Sequence, residues 1–165
     1  MYLDQARDAL SKAGFVGSSE IHGCTPEEVR ALEESIGHTL PLAYKEYLLW
    51  MGHGAGRFLA GSSVFYEDLP DRRESAEDLL NENSVSLGLP SDAFVFYGHQ
   101  GYQFMYFRLS EGDNPPVYYY GEGEGMEAIA LLYPRFSDFV LTEIEGHARL
   151  IRERAERLGG DSPSL

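Results

Sequence analysis

The chain has 165 residues, enough for one domain around a single core, and 13% of them are aromatic, which argues against disorder. Its 27 acidic against 13 basic residues give a formal charge of −14, a field that repels nucleic-acid phosphates and anionic membrane surfaces and attracts a basic protein. Simple solubility explains the same charge equally well.

A single cysteine, Cys24, excludes an internal disulfide and fits a reducing compartment. No apolar run approaches the ~20 residues of a membrane span. The opening MYLDQARDAL carries acids and lacks a basic start and apolar centre, so no secretory leader is expected and the predicted location is cytoplasmic.

In chain order, Leu3, Ala6 and Leu10 at helical spacing predict a short, weakly apolar helix over residues 3–13 that Gly14 ends. Residues 15–24 read as a connector with room for a brief extended segment. Thr25, Pro26 and Glu28 then form a capping box with proline in the first helical position. Val29, Leu32 and Ile36 give that helix one apolar stripe, and Gly37 is placed to end it in the left-handed conformation. After Pro41, Tyr44, Tyr47, Leu48 and Met51 repeat the i, i+3, i+4, i+7 spacing until Gly52 and Gly54 stop the helix. From the residues alone this is a helical hairpin that packs on something else.

The ordered set Thr25, Pro26, Leu32, Glu33, Gly37, Leu40, Pro41, Tyr44, Tyr47, Leu48, Leu49, Gly52 and Gly54 resembles the signature of the SMI1/KNR4 family, within the SUKH superfamily. The phrase Phe136-Ser137-Asp138-Phe139-Val140 resembles the helix that closes that domain. The likeness spans about residues 25–145 and leaves out the N-terminal helix (1–14), the acidic stretch 67–83 and the arginine-rich extension 146–165. It implies a non-catalytic binding module. Bacterial members are immunity proteins that neutralise polymorphic toxins, often nucleases or deaminases; fungal members act as intracellular regulators and scaffolds.

Beyond the glycine loop, residues 58–60 and 63–66 are expected as short strand pieces. Residues 67–83 hold seven acids and two arginines; Ser75 and Asp78 suggest a cap, with Ala76, Leu79 and Leu80 anchoring a short helix. Ala93–Tyr97, Tyr102–Leu109 and Val117–Tyr120 read as three strands of an antiparallel meander, with Gln103, Met105 and Phe107 on one face and Phe104 and Tyr106 on the other. Tyr118 and Tyr120 should share a face and Tyr119 the opposite one, leaving one side available for binding. Gly121–Gly125 is a flexible acidic loop. After Pro134, a final helix carries Phe136, Phe139, Val140, Glu143, Ile144, His147 and Ile151 on one mostly apolar stripe, and residues 159–165 form a loose tail. The expected fold is α+β: one domain over 1–165, a mostly antiparallel sheet of about four to six strands, covered by N-terminal helices and a C-terminal helix.

No catalytic constellation emerges. Gly52–Arg57 lacks the last glycine of a dinucleotide loop and ends a helix instead of opening one; Gly121–Gly125 sets Glu122 and Glu124 where phosphate would lie. His22-x-Cys24 is the only close soft pair, with no second pair to complete a zinc site. Cys24 beside a helix N-terminus suggests a lowered thiol pKa, but no histidine can be assigned to it as a base, so a buried or incidental cysteine is the favoured reading. Glu143 and Glu145 face different ways on a helix. Trp50 reads as core before interface. No catalytic residue, cofactor or metal is therefore expected.

The expected partner is a basic protein toxin, bound without direct nucleic-acid or membrane contact by a monomer or weak homodimer. The candidate contact surface is an acidic rim of Glu67, Asp68, Asp71, Glu74, Glu77 and Asp78, with Glu122, Glu124, Glu127 and Tyr119. Two alternatives stand beside this. One is a regulatory adaptor of the same fold without a toxin; the other is an enzyme using Cys24 or the glycine loops.

Overall fold

A computed structural model of the protein describes residues 1–123 and 128–159. Helix α1 (Asp4–Ala13) precedes a 3₁₀ turn (Ser18–Glu20) and the two-residue strand β1 (Ile21–His22); α2 (Pro26–Ile36) and α3 (Leu42–Met51) follow. Strands β2 (Gly54–Ala55) and β3 (Ser62–Ser63) lead to a 3₁₀ turn (Tyr66–Asp71) that runs into α4 (Arg72–Glu82). Strands β4 (Ala93–His99), β5 (Gln103–Arg108), β6 (Val117–Gly121) and β7 (Ala130–Tyr133) come next, and α5 (Phe136–Gly159) closes the chain. The larger sheet is wholly antiparallel in the order β3-β4-β5-β6-β7, and β1 and β2 form a separate two-stranded antiparallel sheet. This is the expected α+β class.

The hairpin forms as its capping signals dictate. Thr25 N–H donates to Glu28 Oε2 at 2.8 Å, and Glu28 N–H donates to Thr25 Oγ1 at 3.2 Å. Gly37 ends α2 at φ 69°. The predicted stripe on α3 is buried in full, with Tyr44, Tyr47, Leu48 and Met51 all at 0% exposure. The Tyr44 ring lies 5.1 Å from Phe107 and 5.3 Å from both Phe94 and Phe136, centroid to centroid. Phe136, Phe139, Val140 and Ile144 of α5 complete this cover, and Leu3, Ala6 and Leu10 of α1 join the same core. Glu46 on α3 fixes the entry to α1 by accepting the Tyr2 and Leu3 N–H groups, each at 3.1 Å.

Alternation along β5 and β6 follows the predicted faces. Met105, Phe107 and Tyr119 turn towards α3 and α5, while Phe104, Tyr106, Tyr118 and Tyr120 turn towards α4. A bulge between Val95 and Tyr97 lets Phe96 and Tyr97 both join the α3–α5 core.

Several boundaries differ from expectation. The segment around residues 58–60 is turn, because buried Leu59 adopts φ 56°, a left-handed backbone that no strand accommodates. Of residues 63–66, only Ser63 pairs in a strand, with Gly98. Helix α4 starts at Arg72, ahead of the expected cap at Ser75, whose hydroxyl instead donates back to Asp71 O at 2.8 Å. Ile151 lies on the predicted α5 stripe but is 41% exposed, since α5 outruns the body it packs on. The expected loose tail at 160–165 lies outside the described residues.

Candidate functional site

The acidic surface rests on α4. Ala76, Leu79 and Leu80 turn inward against Val95, Phe104, Tyr106 and Tyr120, so Asp71, Glu74, Glu77 and Asp78 face outward and are exposed. A Cβ on Gly98 would come within 2.7 Å of Arg72 Nη1, so the bare glycine lets α4 lie close over β4.

The six acids of this stretch have different fates. Glu67 accepts from His53 Nδ1 at 2.5 Å. Asp68 is half-buried and accepts the Phe65 N–H at 3.3 Å. Glu77 pairs with Arg73 at 2.8 Å. Asp71, Glu74 and Asp78 have no cationic side chain in salt-bridge range among the described residues.

Glu122 is exposed at the end of β6, its N–H donating to Tyr102 O at 2.9 Å. Gly123 and Ala128 line a hollow with residues 83–87, so both neighbour the C-terminal end of α4. Glu124 and Glu127 lie outside the described residues. Tyr119 does not join the group: it sits on the α3–α5 face, where its hydroxyl overlies Gly121 and leaves no room for a side chain there.

A second cluster, absent from the expected site, forms beneath Glu67. The β1–β2 ladder pairs His22 with Gly54, and His53 N–H donates to His22 O at 2.8 Å. Cys24 N–H donates to Leu48 O at 2.8 Å. Those bonds draw the end of α3 against the start of α2 and bring His53 beside Cys24. Gly52 permits the approach, since any side chain on it would strike the Cys24 sulfur.

His53 Nε2 lies 3.1 Å from both oxygens of Glu28, and Tyr66 stacks edge-on at 5.5 Å while its hydroxyl donates to Glu28 O at 3.2 Å. Hydrogen bonds to Glu28 and Glu67 raise the His53 pKa, favouring the imidazolium. Glu28 is held below its usual range, first by the Thr25 N–H and then by His53.

The Cys24 thiol is buried, the favoured reading of that cysteine, and the helix N-terminus beside it does not activate it. Burial, then the charges of Glu28 and Glu67, push its pKa up to about 12, outweighing the helix N-terminus that was expected to lower it. At neutral pH it is a protonated thiol and a poor nucleophile. Trp50 is half-buried at the core's margin with the Arg7 guanidinium 4.4 Å over its ring.

The family model of the SMI1/KNR4 family (SUKH-1) matches residues 23–142 of the chain. That range includes both the α4 surface and the His53 cluster, and leaves out α1 and the distal part of α5. No curated protein matches the chain.

Proposed function

From the premise that the chain belongs to the SMI1/KNR4 family (SUKH-1), we propose that it is an immunity protein that binds and neutralises a cognate protein toxin. The family assignment carries this reading, and the face of α4 supports it: Asp71, Glu74 and Asp78 present negative charge with no cationic side chain to offset it among the described residues. A toxin that acts on nucleic acid needs a basic groove to hold phosphate, and an acidic surface competes for that groove. On this reading the chain occupies its target and transforms nothing. Its partner is basic, and it meets that partner in the cytoplasm as a monomer or weak dimer. Glu67, Asp68, Glu77 and Glu122 flank the contact, with Glu124 and Glu127 continuing it.

Co-expression with a toxin domain from an adjacent gene is the direct test, scored for survival and for a complex that co-purifies. Rescue with a stable complex is expected; death of the co-expressing cells removes the immunity reading. Binding without rescue would instead favour a regulatory adaptor. The combined variant Asp71→Lys, Glu74→Lys and Asp78→Lys should slow association by about tenfold or more and flatten its salt dependence. Unchanged association kinetics would remove these acids from the contact.

A further inference from the structure

We propose that Cys24, Glu28 and His53 form a binding site for one zinc ion, a site independent of whichever partner the chain binds. One ligand atom from each of the three side chains lies within 4.8 Å of the others. The Nε2-to-carboxylate distance of 3.1 Å is already close to the spacing of two ligands on one tetrahedral zinc with bonds of about 2.0–2.1 Å. Thiolate, imidazole and carboxylate together suit zinc; calcium and magnesium prefer all-oxygen sites.

The surroundings fit the same chemistry. Glu67 accepts from His53 Nδ1 at 2.5 Å, which directs the other ring nitrogen, Nε2, at Glu28. A carboxylate behind a ligating imidazole sets its tautomer and raises its basicity. On the inner side, the hydroxyls of Tyr44 and Tyr47 are fully buried with no hydrogen-bond partner among the described residues. Tyr47 and Leu48 of α3 are buried on the same side as the Cys24 sulfur, so the inner wall of the site excludes water. On the outer side, the His53 side chain is 26% exposed and that of Glu28 36%, which gives an ion a way in and water a fourth position. Loading displaces the Cys24 Sγ proton, and the Nε2 proton where the ring is charged, to solvent. The bound ion would tie the start of α2 to the α3–β2 loop.

The experiment uses tag-free full-length protein. Cobalt(II) titration should saturate at one equivalent with the visible bands of a tetrahedral site and a thiolate-to-cobalt charge-transfer band. Zinc should displace the cobalt, and zinc at a hundredfold excess over its Kd should raise Tm by roughly 5–10 °C. Cys24→Ser should abolish the charge-transfer band. Glu67→Gln should keep the stoichiometry and weaken affinity about 10–100-fold. Because changes at Cys24 disturb a buried position, X-ray absorption on the zinc-loaded wild type supplies a test free of substitutions: one sulfur scatterer at about 2.3 Å is expected. A zinc shell without sulfur, no saturable one-equivalent binding, or undiminished binding after Cys24→Ser with His53→Gln would each overturn the site. The last result would leave His53 as a cation clasping two carboxylates.

Discussion

The two faces of the five-stranded sheet are covered in very different ways. Towards α3 and α5, the rings of Tyr44, Tyr47, Phe96, Phe107, Phe136 and Phe139 interlock at exposures of 1% or less. Towards α4, the cover is one helix of 11 residues that contributes Ala76, Leu79 and Leu80, and everything it presents outward is polar. The first face specifies the fold, because a close-packed aromatic interior admits few substitutions. The second needs only a narrow apolar underside, so its outer residues can change with little effect on stability. A binding module with one rigid face and one thin, replaceable cover can keep its core while varying what it recognises.

Alanine scanning across the sheet is the strongest way to break this contrast. Phe136→Ala should cost about 3–5 kcal/mol, since its ring is fully buried and meets Tyr44, Tyr47, Phe96, Phe107 and Phe139 at centroid distances of 5.3–5.9 Å. Leu80→Ala under α4 should cost about 2–3 kcal/mol, near the low end for a buried leucine, because a surface helix can settle into the space. Chemical denaturation of both variants measures the difference. Equal losses would mean that α4 is as integral as α3.

A smaller effect belongs to neither cover. Asp92, just before β4, accepts from the Ser110 hydroxyl, from Ser110 N–H at 3.3 Å and from Arg108 Nε at 2.9 Å. The Ser110 hydroxyl first, and Arg108 with it, hold its pKa down at about 2 against an ordinary 3.8. A depressed carboxylate stabilises the fold above its unfolded pKa, and that contribution is lost as pH falls through the folded value. Stability should therefore drop between about pH 4 and pH 2 by roughly 1–2 kcal/mol, allowing for solvent screening at Arg108. Asp92→Asn should remove that step from the pH profile of Tm, and an unchanged profile would show that the strand ends carry no such load.

What the sequence disclosed follows the same division. The capping box at Thr25 and Glu28, the stripe on α3 and the alternation in β5 and β6 rest on spacings within a few residues, so they are legible locally. Of strands β1, β2 and β7, only β1 was foreseen, as a brief extended piece of the 15–24 connector. Strands β1 and β2 have two residues each and exist only through their pairing. Strand β7 is an edge with Leu131 and Leu132 both exposed, so it lacks the alternation that marks a half-buried strand. The soft pair seen in the sequence was His22 with Cys24, yet the fold sets His53 beside Cys24 through a ladder formed by residues far apart in the chain. Nothing in local spacing announces that convergence. Its one trace is the glycine at position 52, which reads as a helix stop and also keeps clear the space the Cys24 sulfur fills. The acidic rim was legible as charge, but which acids are already engaged by His53, Arg73 or a backbone N–H depends on tertiary neighbours.

The smallest expected effect on stability is the sharpest probe of the comparison. Reversing Asp71, Glu74 and Asp78 to lysine touches three exposed side chains with no ion pair to lose among the described residues. Each change should move stability by no more than about 0.5 kcal/mol, and lysine is the better helix former at positions 74 and 78 only by small margins. The net formal charge of −14 falls in magnitude, which weakens self-repulsion and works slightly in favour of the folded state. Tm should thus stay within about 5 °C of the wild type while association with a basic partner slows. If the triple variant instead unfolds easily, the charges on α4 hold the helix in place, and the outer layer is no longer a surface free to specialise.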